Sequence, residues 1–84
     1  MNYRFTENAV KDLRGFEIGI QKRILEKLDF YMRMDNPLLF AKSLRDRKFG
    51  EYRFRIGEYR IIFDIRDGVE IIILAIGNRR DIYR

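Results

Sequence analysis

The chain has 84 residues with no cysteine and no histidine, and 18 basic against 13 acidic residues give it a net charge of +5. This length predicts one domain over residues 1–84 that folds without disulfides. The missing side chains exclude a cysteine nucleophile, an imidazole base and a His- or Cys-ligated metal. No segment has the roughly 18 apolar residues of a membrane span or the pattern of a signal peptide. We therefore expect a cytoplasmic protein with no cofactor, no metal and no membrane partner.

The N-terminal segment predicts a short strand followed by a short helix. Residues 2–5 alternate in the manner of a strand, with Tyr3 and Phe5 on one side. Thr6 is a suitable N-cap, and an apolar stripe runs from it to Gly15, which ends the first helix.

A longer second helix is predicted over residues 16–34, where apolar side chains recur with helical periodicity. Its stripe comprises Ile18, Ile20, Ile24, Leu25, Leu28, Tyr31 and Met32. Pro37 ends this helix because proline disfavours helical backbone at the residue before it. Residues 38–50 form a basic connection in which Leu44 either adds a short strand or pins the loop.

Residues 51–77 predict a three-stranded antiparallel meander. Apolar and cationic residues alternate over residues 52–56, Gly57-Glu58 suits a type II′ turn, and Asp67-Gly68 suits a type I′ turn. Two-residue turns define the register, which pairs Ile56 with Tyr59, Arg55 with Arg60, Arg66 with Val69, and Arg60 with Ala75.

This register divides the meander into two faces. The core face collects large apolar side chains, namely Tyr52, Phe54, Ile56, Tyr59, Ile61, Phe63, Ile65, Ile72, Leu74 and Ile76. The other face gathers Arg53, Arg55, Arg60 and, by strand parity, Arg79. Directly opposed like charges destabilise a sheet, so the cluster indicates an anionic ligand.

Three segments of the chain resemble the RelE/ParE toxin superfamily. They are Thr6-Glu7-Asn8-Ala9, Tyr52-Arg53-Phe54-Arg55-Ile56-Gly57-Glu58-Tyr59-Arg60, and Ile76-Gly77-Asn78-Arg79-Arg80-Asp81-Ile82-Tyr83. The resemblance covers essentially the whole chain and implies a RelE-like α+β fold: an N-terminal strand, a helical hairpin and a three-stranded antiparallel meander, with the helices on one sheet face. Members on the RelE side cleave mRNA in the ribosomal A site and are silenced by a cognate antitoxin. Those on the ParE side poison DNA gyrase and lack the nuclease constellation.

Carried over by position, the resemblance implies a metal-independent ribonuclease site of Arg53, Arg55, Arg60, Arg79 and Tyr83. Preorganised cations would stabilise the charge that develops when a ribose 2′-OH attacks its adjacent phosphate. Arginine is a poor base because it stays protonated, which leaves Tyr83 as the acid or base, as a ring that stacks on a nucleobase, or as an anchor for the tail. Many relatives carry histidine where this chain has Asn78. General RNA contacts are assigned to Arg47, Lys48 and Arg80.

The predicted function is that of a ribosome-dependent mRNA interferase in a toxin–antitoxin hetero-oligomer. The alternatives are a ParE-like gyrase inhibitor and a degenerate basic RNA-binding module. The predicted register also places Ile62, Ile71 and Ile73 on the arginine face, where an uncovered apolar patch would serve as the antitoxin-binding site. Self-association, or the connection of residues 38–50 folding across the patch, would cover it instead.

Overall fold

A computed structural model describes residues 1–82 and shows a mixed sheet of five strands with two helices on one face. The elements in chain order are β1 (Asn2–Phe5), α1 (Glu7–Arg14), α2 (Ile18–Met32), a 3₁₀ helix (Pro37–Phe40), β2 (Ala41–Ser43), β3 (Tyr52–Ile56), β4 (Tyr59–Arg66) and β5 (Glu70–Asn78). The strand order is β1-β5-β4-β3-β2, in which β1 runs parallel to β5 and the other neighbours are antiparallel. The predicted α+β fold is confirmed, and β2 extends the predicted meander.

The two helices begin and end close to the predicted positions. Thr6 Oγ1 accepts a hydrogen bond from the Ala9 N–H (3.1 Å), an N-cap worth about 1 kcal/mol. Gly15 ends α1 in ordinary helical backbone with φ −74°. The helix α2 starts at Ile18 rather than at residue 16, and the Ile18 side chain is 76% exposed, so it does not join the buried stripe.

One core fills the space between the helices and the sheet. Its buried residues are Ala9, Ile24, Leu28, Tyr31, Phe54, Ile56, Ile61, Phe63, Ile71, Ile73 and Ile76. The ring of Phe54 lies 4.5 Å from that of Phe63 and 4.8 Å from that of Tyr31 on α2. The predicted burial of Phe54 and Phe63 against the second helix is therefore confirmed.

The hairpin of β3 and β4 has the predicted register, with Ile56 opposite Tyr59 and Arg55 opposite Arg60. Gly57 has φ +57°, the positive value that the first central position of a type II′ turn requires. The two strands of this hairpin are adjacent in sequence. The alternation of apolar and cationic residues and the two-residue turn predict the same register, which is the one observed.

The predicted register of β5 is wrong. Asp67 and Gly68 both have positive φ, as the predicted turn requires, and the Val69 N–H donates to the Arg66 carbonyl (3.1 Å). Val69 nevertheless lies outside the strand ladder, which starts with Arg66 opposite Glu70. A slip of one residue exchanges the two faces of a strand. The side chains of Ile71 and Ile73 consequently point into the core and are 0% exposed.

A β-bulge in the same strand pair restores the predicted face further along β5. Phe63 pairs with Ile73, but Ile62 pairs with Ala75, so Leu74 is an extra residue. Ile72 and Leu74, both predicted for the core face, are partly exposed, whereas Ile76 is buried as predicted.

Side chains of α1 bind the backbone at this bulge. The Thr6 hydroxyl and the Asn8 amide donate to the Leu74 carbonyl at 3.2 and 3.1 Å, and the Ile76 N–H donates to Asp12 Oδ2 at 2.9 Å. These bonds satisfy backbone groups that the interrupted ladder leaves unpaired. The first helix and its N-cap are thus bonded to the bulged part of a strand more than sixty residues away.

The predicted apolar patch is not present on the surface. Ile71 and Ile73 belong to the core, and Ile62 is only 1% exposed because the connection before β3 folds across it. A Cβ on Gly50 would lie 2.6 Å from Ile62 Cγ2. The antitoxin-binding assignment for these three isoleucines is corrected, since none of them is accessible to a partner in this fold. Within residues 1–82, no helix is long and apolar enough to cross a membrane.

Candidate functional site

Four neighbouring cationic side chains lie together on part of the sheet face turned away from the helices, which we call the distal face. Arg53 and Arg55 alternate with buried core residues of β3, and Arg60 lies on β4 directly opposite Arg55. Lys42 on β2 lies directly opposite Arg53. We call Lys42, Arg53, Arg55 and Arg60 the cationic cluster; it spans three neighbouring strands.

The cationic cluster contains two opposed like-charge pairs, Lys42 with Arg53 and Arg55 with Arg60. Side chains opposed in an antiparallel pair have Cβ atoms about 5 Å apart, and like charges there are destabilising. Among the residues that the structure describes, Lys42, Arg53 and Arg55 form no ion pair with a carboxylate. These three side chains therefore present positive charge that an anion would neutralise.

Arg60 is the most buried cation of the cluster, with 8% of its surface exposed. Its Nη1 donates to the carbonyl oxygens of Gly57 and Tyr59 at 3.1 and 3.2 Å. Gly77, rather than the predicted Ala75, lies opposite Arg60. Ile82 packs over Gly77, where an added Cβ would come within 3.0 Å of the Ile82 Cδ1 atom. Arg60 therefore has a more constrained side chain than its exposed partner Arg55.

Arg79 lies beside the β3–β4 turn, just beyond the end of β5. Its backbone N–H donates to the Glu58 carbonyl (2.8 Å), and its Nε lies 3.4 Å from the Glu58 carboxylate. Asn78 Oδ1 accepts a hydrogen bond from the Arg80 N–H (3.1 Å), which stabilises the exposed turn that carries Arg80. Tyr83 lies outside the described residues.

The predicted RNA contacts Arg47 and Lys48 lie in the exposed connection between β2 and β3. Arg47 is 3.7 Å from the Glu51 carboxylate, and Lys48 is 3.7 Å from that of Asp46. Exposed ion pairs of this kind contribute at most about 1 kcal/mol, so phosphate can compete for both cations.

Two further cations lie near the site although no sequence pattern places them there. Lys42 lies on β2, whose three residues are too few to show a strand period. Arg23 lies on α2, and its guanidinium lies against the turn: a Cβ on Gly57 would be 2.8 Å from Arg23 Nη2. Only tertiary packing reveals this contact.

The opposite end of the distal face is acidic. The Glu51 N–H donates to Asp64 Oδ1 (2.8 Å), and the Ile65 N–H donates to Glu51 Oε1 (2.9 Å). These two carboxylates line a hollow of about 640 Å³ together with Asp67, Arg66 and partly exposed apolar residues. Three carboxylates against one cation make the lining of this hollow acidic, so phosphate would be attracted to the β3–β4 turn instead.

Two tyrosines in the described part of the chain have perturbed acidity. Burial, together with a hydrogen bond from its hydroxyl to Asp29 (2.7 Å), raises the pKa of Tyr3 to about 12. Burial also raises the pKa of Tyr31. Both phenols are held in the neutral form, which disfavours them as bases near neutral pH. Within residues 1–82, no group of three or more acidic side chains is arranged to hold a metal ion.

Comparison with known proteins gives concordant matches over nearly the whole chain. The family model described as the ParE toxin of the type II toxin–antitoxin system parDE matches residues 3–83. The chain is 34% identical to Toxin RelG of Mycobacterium tuberculosis over 82 residues, which cover 96% of this chain and 93% of RelG.

Solved structures agree with these sequence matches. The RelBE2 toxin–antitoxin complex of M. tuberculosis superposes with a TM-score of 0.74 at 29% identity, covering 93% of this chain and 96% of the other. The RelB–RelE antitoxin–toxin complex of Methanococcus jannaschii gives 0.67 at 26% identity, covering 94% and 93%. The chain therefore belongs to the ParE toxin family of type II toxin–antitoxin systems, within the RelE/ParE superfamily.

Proposed function

We propose that this toxin is a cytoplasmic, ribosome-dependent mRNA interferase that cuts mRNA in the ribosomal A site. The observation that carries the proposal is the pair formed by Arg55 and Arg60 on adjacent strands, next to Arg53. Folding alone gives no reason to place like charges opposite each other. A bound phosphate would turn this repulsion into charge-assisted hydrogen bonds.

The chemistry matches the cationic cluster. The ribose 2′-oxygen forms a bond to its adjacent phosphorus, the bond to the 5′-oxygen breaks, and the products are a 2′,3′-cyclic phosphate and a 5′-hydroxyl. Negative charge builds up on the phosphorane oxygens, where preorganised donors accelerate reaction most. We assign Arg60 to the scissile phosphate because its side chain is held by two backbone carbonyls. Arg53, Arg55 and Arg79 supply further positive charge.

Two proton transfers accompany this reaction, one from the 2′-hydroxyl and one to the 5′-oxygen. Arginine does not act as a base because it stays protonated, and the chain has no histidine. We assign one of these transfers to Tyr83, as acid or base, and the other to water; the Tyr83 ring can also stack on a nucleobase. Arg47, Lys48 and Arg80 are proposed as general contacts to RNA phosphates.

We further propose that a cognate antitoxin binds this chain in a hetero-oligomer. The support is the similarity in fold to two chains solved as toxin–antitoxin complexes. Acidic antitoxin side chains that reached the cationic cluster would exclude RNA by neutralising it.

The second candidate function is that of a ParE-like DNA gyrase inhibitor without nuclease activity. Two observations favour it: the matching family model is that of the ParE toxin, and Glu58 partly neutralises Arg79. A protein of this kind would bind its target through the cationic face and perform no chemistry.

Induction of the toxin in cells distinguishes these functions if mRNA 5′ ends and DNA double-strand breaks are mapped together. The interferase proposal requires codon-phased mRNA cuts that disappear in Arg60→Ala. They should persist in Arg66→Ala, a matched control on the same strand and face at the acidic end. Breaks without mRNA cuts would support the gyrase inhibitor, and RNA binding with neither would indicate a degenerate RNA-binding module.

A further inference from the structure

A hollow of about 350 Å³ lies beside the cationic cluster, between the 3₁₀ helix with β2 and the neighbouring strand β3. Its lining comprises Leu39, Phe40, Ala41, Lys42, Arg53 and Arg55. We propose that this hollow is a nucleobase subsite for single-stranded RNA, in which the base of a nucleotide next to the scissile phosphate packs on Leu39 and Phe40. The inference rests on the proposed function and deepens it, since it locates a neighbouring part of the substrate.

The apolar side of the hollow is both exposed and rigidly held. Leu39 is 79% exposed and Phe40 is 43% exposed, and contiguous exposed apolar side chains rimmed by polar residues are typical of binding sites. The Phe40 ring stacks on the buried ring of Tyr31, with centroids 4.7 Å apart and planes at 19°. Phe40 is thus positioned before any ligand binds and remains accessible in part.

The backbone that carries this wall is also well defined by local sequence. Asn36 caps the 3₁₀ helix, because its Oδ1 accepts a hydrogen bond from the Leu38 N–H (3.1 Å). Pro37 occupies the first position of that helix, where its fixed φ is favourable and no N–H is needed. A preorganised wall of this kind loses little conformational entropy when a ligand binds.

The cationic side of the hollow selects the class of ligand. Lys42 and Arg53 are directly opposed, and in the described part of the chain neither they nor Arg55 form an ion pair. Aromatic platforms beside cationic grooves are typical of proteins that bind single-stranded nucleic acids, where bases stack and phosphates meet the cations. Arg55 lines the hollow and also lies directly opposite Arg60. One strand of RNA can therefore contact both the subsite and the proposed cleavage site.

Binding of a non-cleavable probe tests the subsite directly. The probe is a fluorescein-labelled 2′-O-methyl hexaadenylate, in which no 2′-hydroxyl is free to attack; its partner is an abasic oligomer of equal length. The full chain is compared with Phe40→Leu, which keeps apolar bulk against Tyr31 but removes the aromatic ring, and with the surface variant Leu39→Ser. Val69→Ser is the matched control, since Val69 is also exposed and apolar but lies at the acidic end.

We expect the wild-type chain to bind the adenylate more tightly than the abasic oligomer. Phe40→Leu and Leu39→Ser should each weaken adenylate binding about 5-fold or more and leave abasic binding and the salt dependence unchanged. Lys42→Gln should instead weaken both and reduce the slope of log K against log salt by about 0.7. Val69→Ser should behave as wild type.

Equal effects of Phe40→Leu on both oligomers, or no effect on either, would overturn the subsite. Loss of antitoxin binding in Leu39→Ser and Phe40→Leu with RNA binding intact would overturn it as well, because the hollow would then bind protein. The probe cannot be cleaved, so this readout is independent of nuclease activity. Base-dependent binding without codon-phased mRNA cuts supports the subsite and contradicts only the interferase, whereas cuts with base-independent binding contradict only the subsite.

Discussion

Ile72 and Ile73 provide a direct test of the β5 register, since they are adjacent, chemically identical and on opposite faces. Ile73 is completely buried, opposite Phe63 and beside Phe5 of β1, whereas Ile72 is partly exposed. Replacing Ile73 by alanine removes three buried carbon groups, each worth about 0.8 kcal/mol. With the cavity left behind, the total loss should be about 3–4 kcal/mol.

The same replacement at Ile72 should cost no more than about 1.5 kcal/mol, because its side chain is already partly hydrated and leaves little cavity. Urea unfolding of both variants measures the difference as a change in the midpoint at constant m-value. A larger loss in Ile72→Ala would indicate the register of an uninterrupted two-residue hairpin, and equal losses would contradict the difference in burial between the two side chains. The burial of Ile73 described above would then be wrong.

Three further predictions concern the site and the N-terminal strand. Arg60→Ala should lower the rate of cleavage on ribosome-bound mRNA about 100-fold or more, and Arg60→Lys should restore only part of it, because an ammonium lacks the forked donor geometry. Arg55→Gln should leave stability unchanged or raise it by up to about 1 kcal/mol at low salt, as measured by urea unfolding, because it removes a like-charge contact. The Tyr3 pKa of about 12 lies above the ordinary value of 10.0, so stability present below pH 10 should be lost as pH rises from about 10 to 12. In Tyr3→Phe this loss of stability should be absent, whereas the loss that comes from Tyr31 should be seen in both proteins. Identical profiles of stability against pH for wild type and Tyr3→Phe would contradict the role given to Tyr3.

The sequence patterns predicted the fold best where local signals agreed. Along β3 and β4 the period of two, the turn residues and the observed register all coincide. They failed along β5 because residues 71–74 are all large and apolar, so periodicity cannot tell which side chains face the helices. Its actual register includes a Val69 that lies outside the ladder, the bulge at Leu74 and hydrogen bonds between the backbone of β5 and the side chains of Thr6 and Asp12. None of these has a signature in the sequence of the strand itself.

The same distinction explains which parts of the candidate site could be foreseen. Arg55 and Arg60 flank a two-residue turn, so counting from Gly57 was enough to place them opposite each other. Lys42 lies on a three-residue strand opposite Arg53, and Arg23 lies on α2 against Gly57. The local sequence of neither element indicates these contacts. The predicted apolar patch failed because it was built entirely on the register of β5.

The cationic cluster persists because the strand that carries much of it is stabilised from the other side. A pair of charged side chains directly opposite each other on neighbouring strands changes stability by roughly 0.2–1 kcal/mol, and like charges lower it. The two repulsive pairs of the cationic cluster therefore cost at most about 2 kcal/mol. Removing a buried phenylalanine such as Phe54, which alternates with Arg53 and Arg55 on β3 and contacts Phe63 at 4.5 Å, costs about 3–5 kcal/mol. The aromatic core therefore outweighs the repulsion, and β3 can hold positive charge in place before an anion arrives. Preorganisation of this kind is what electrostatic stabilisation of a phosphorane would require.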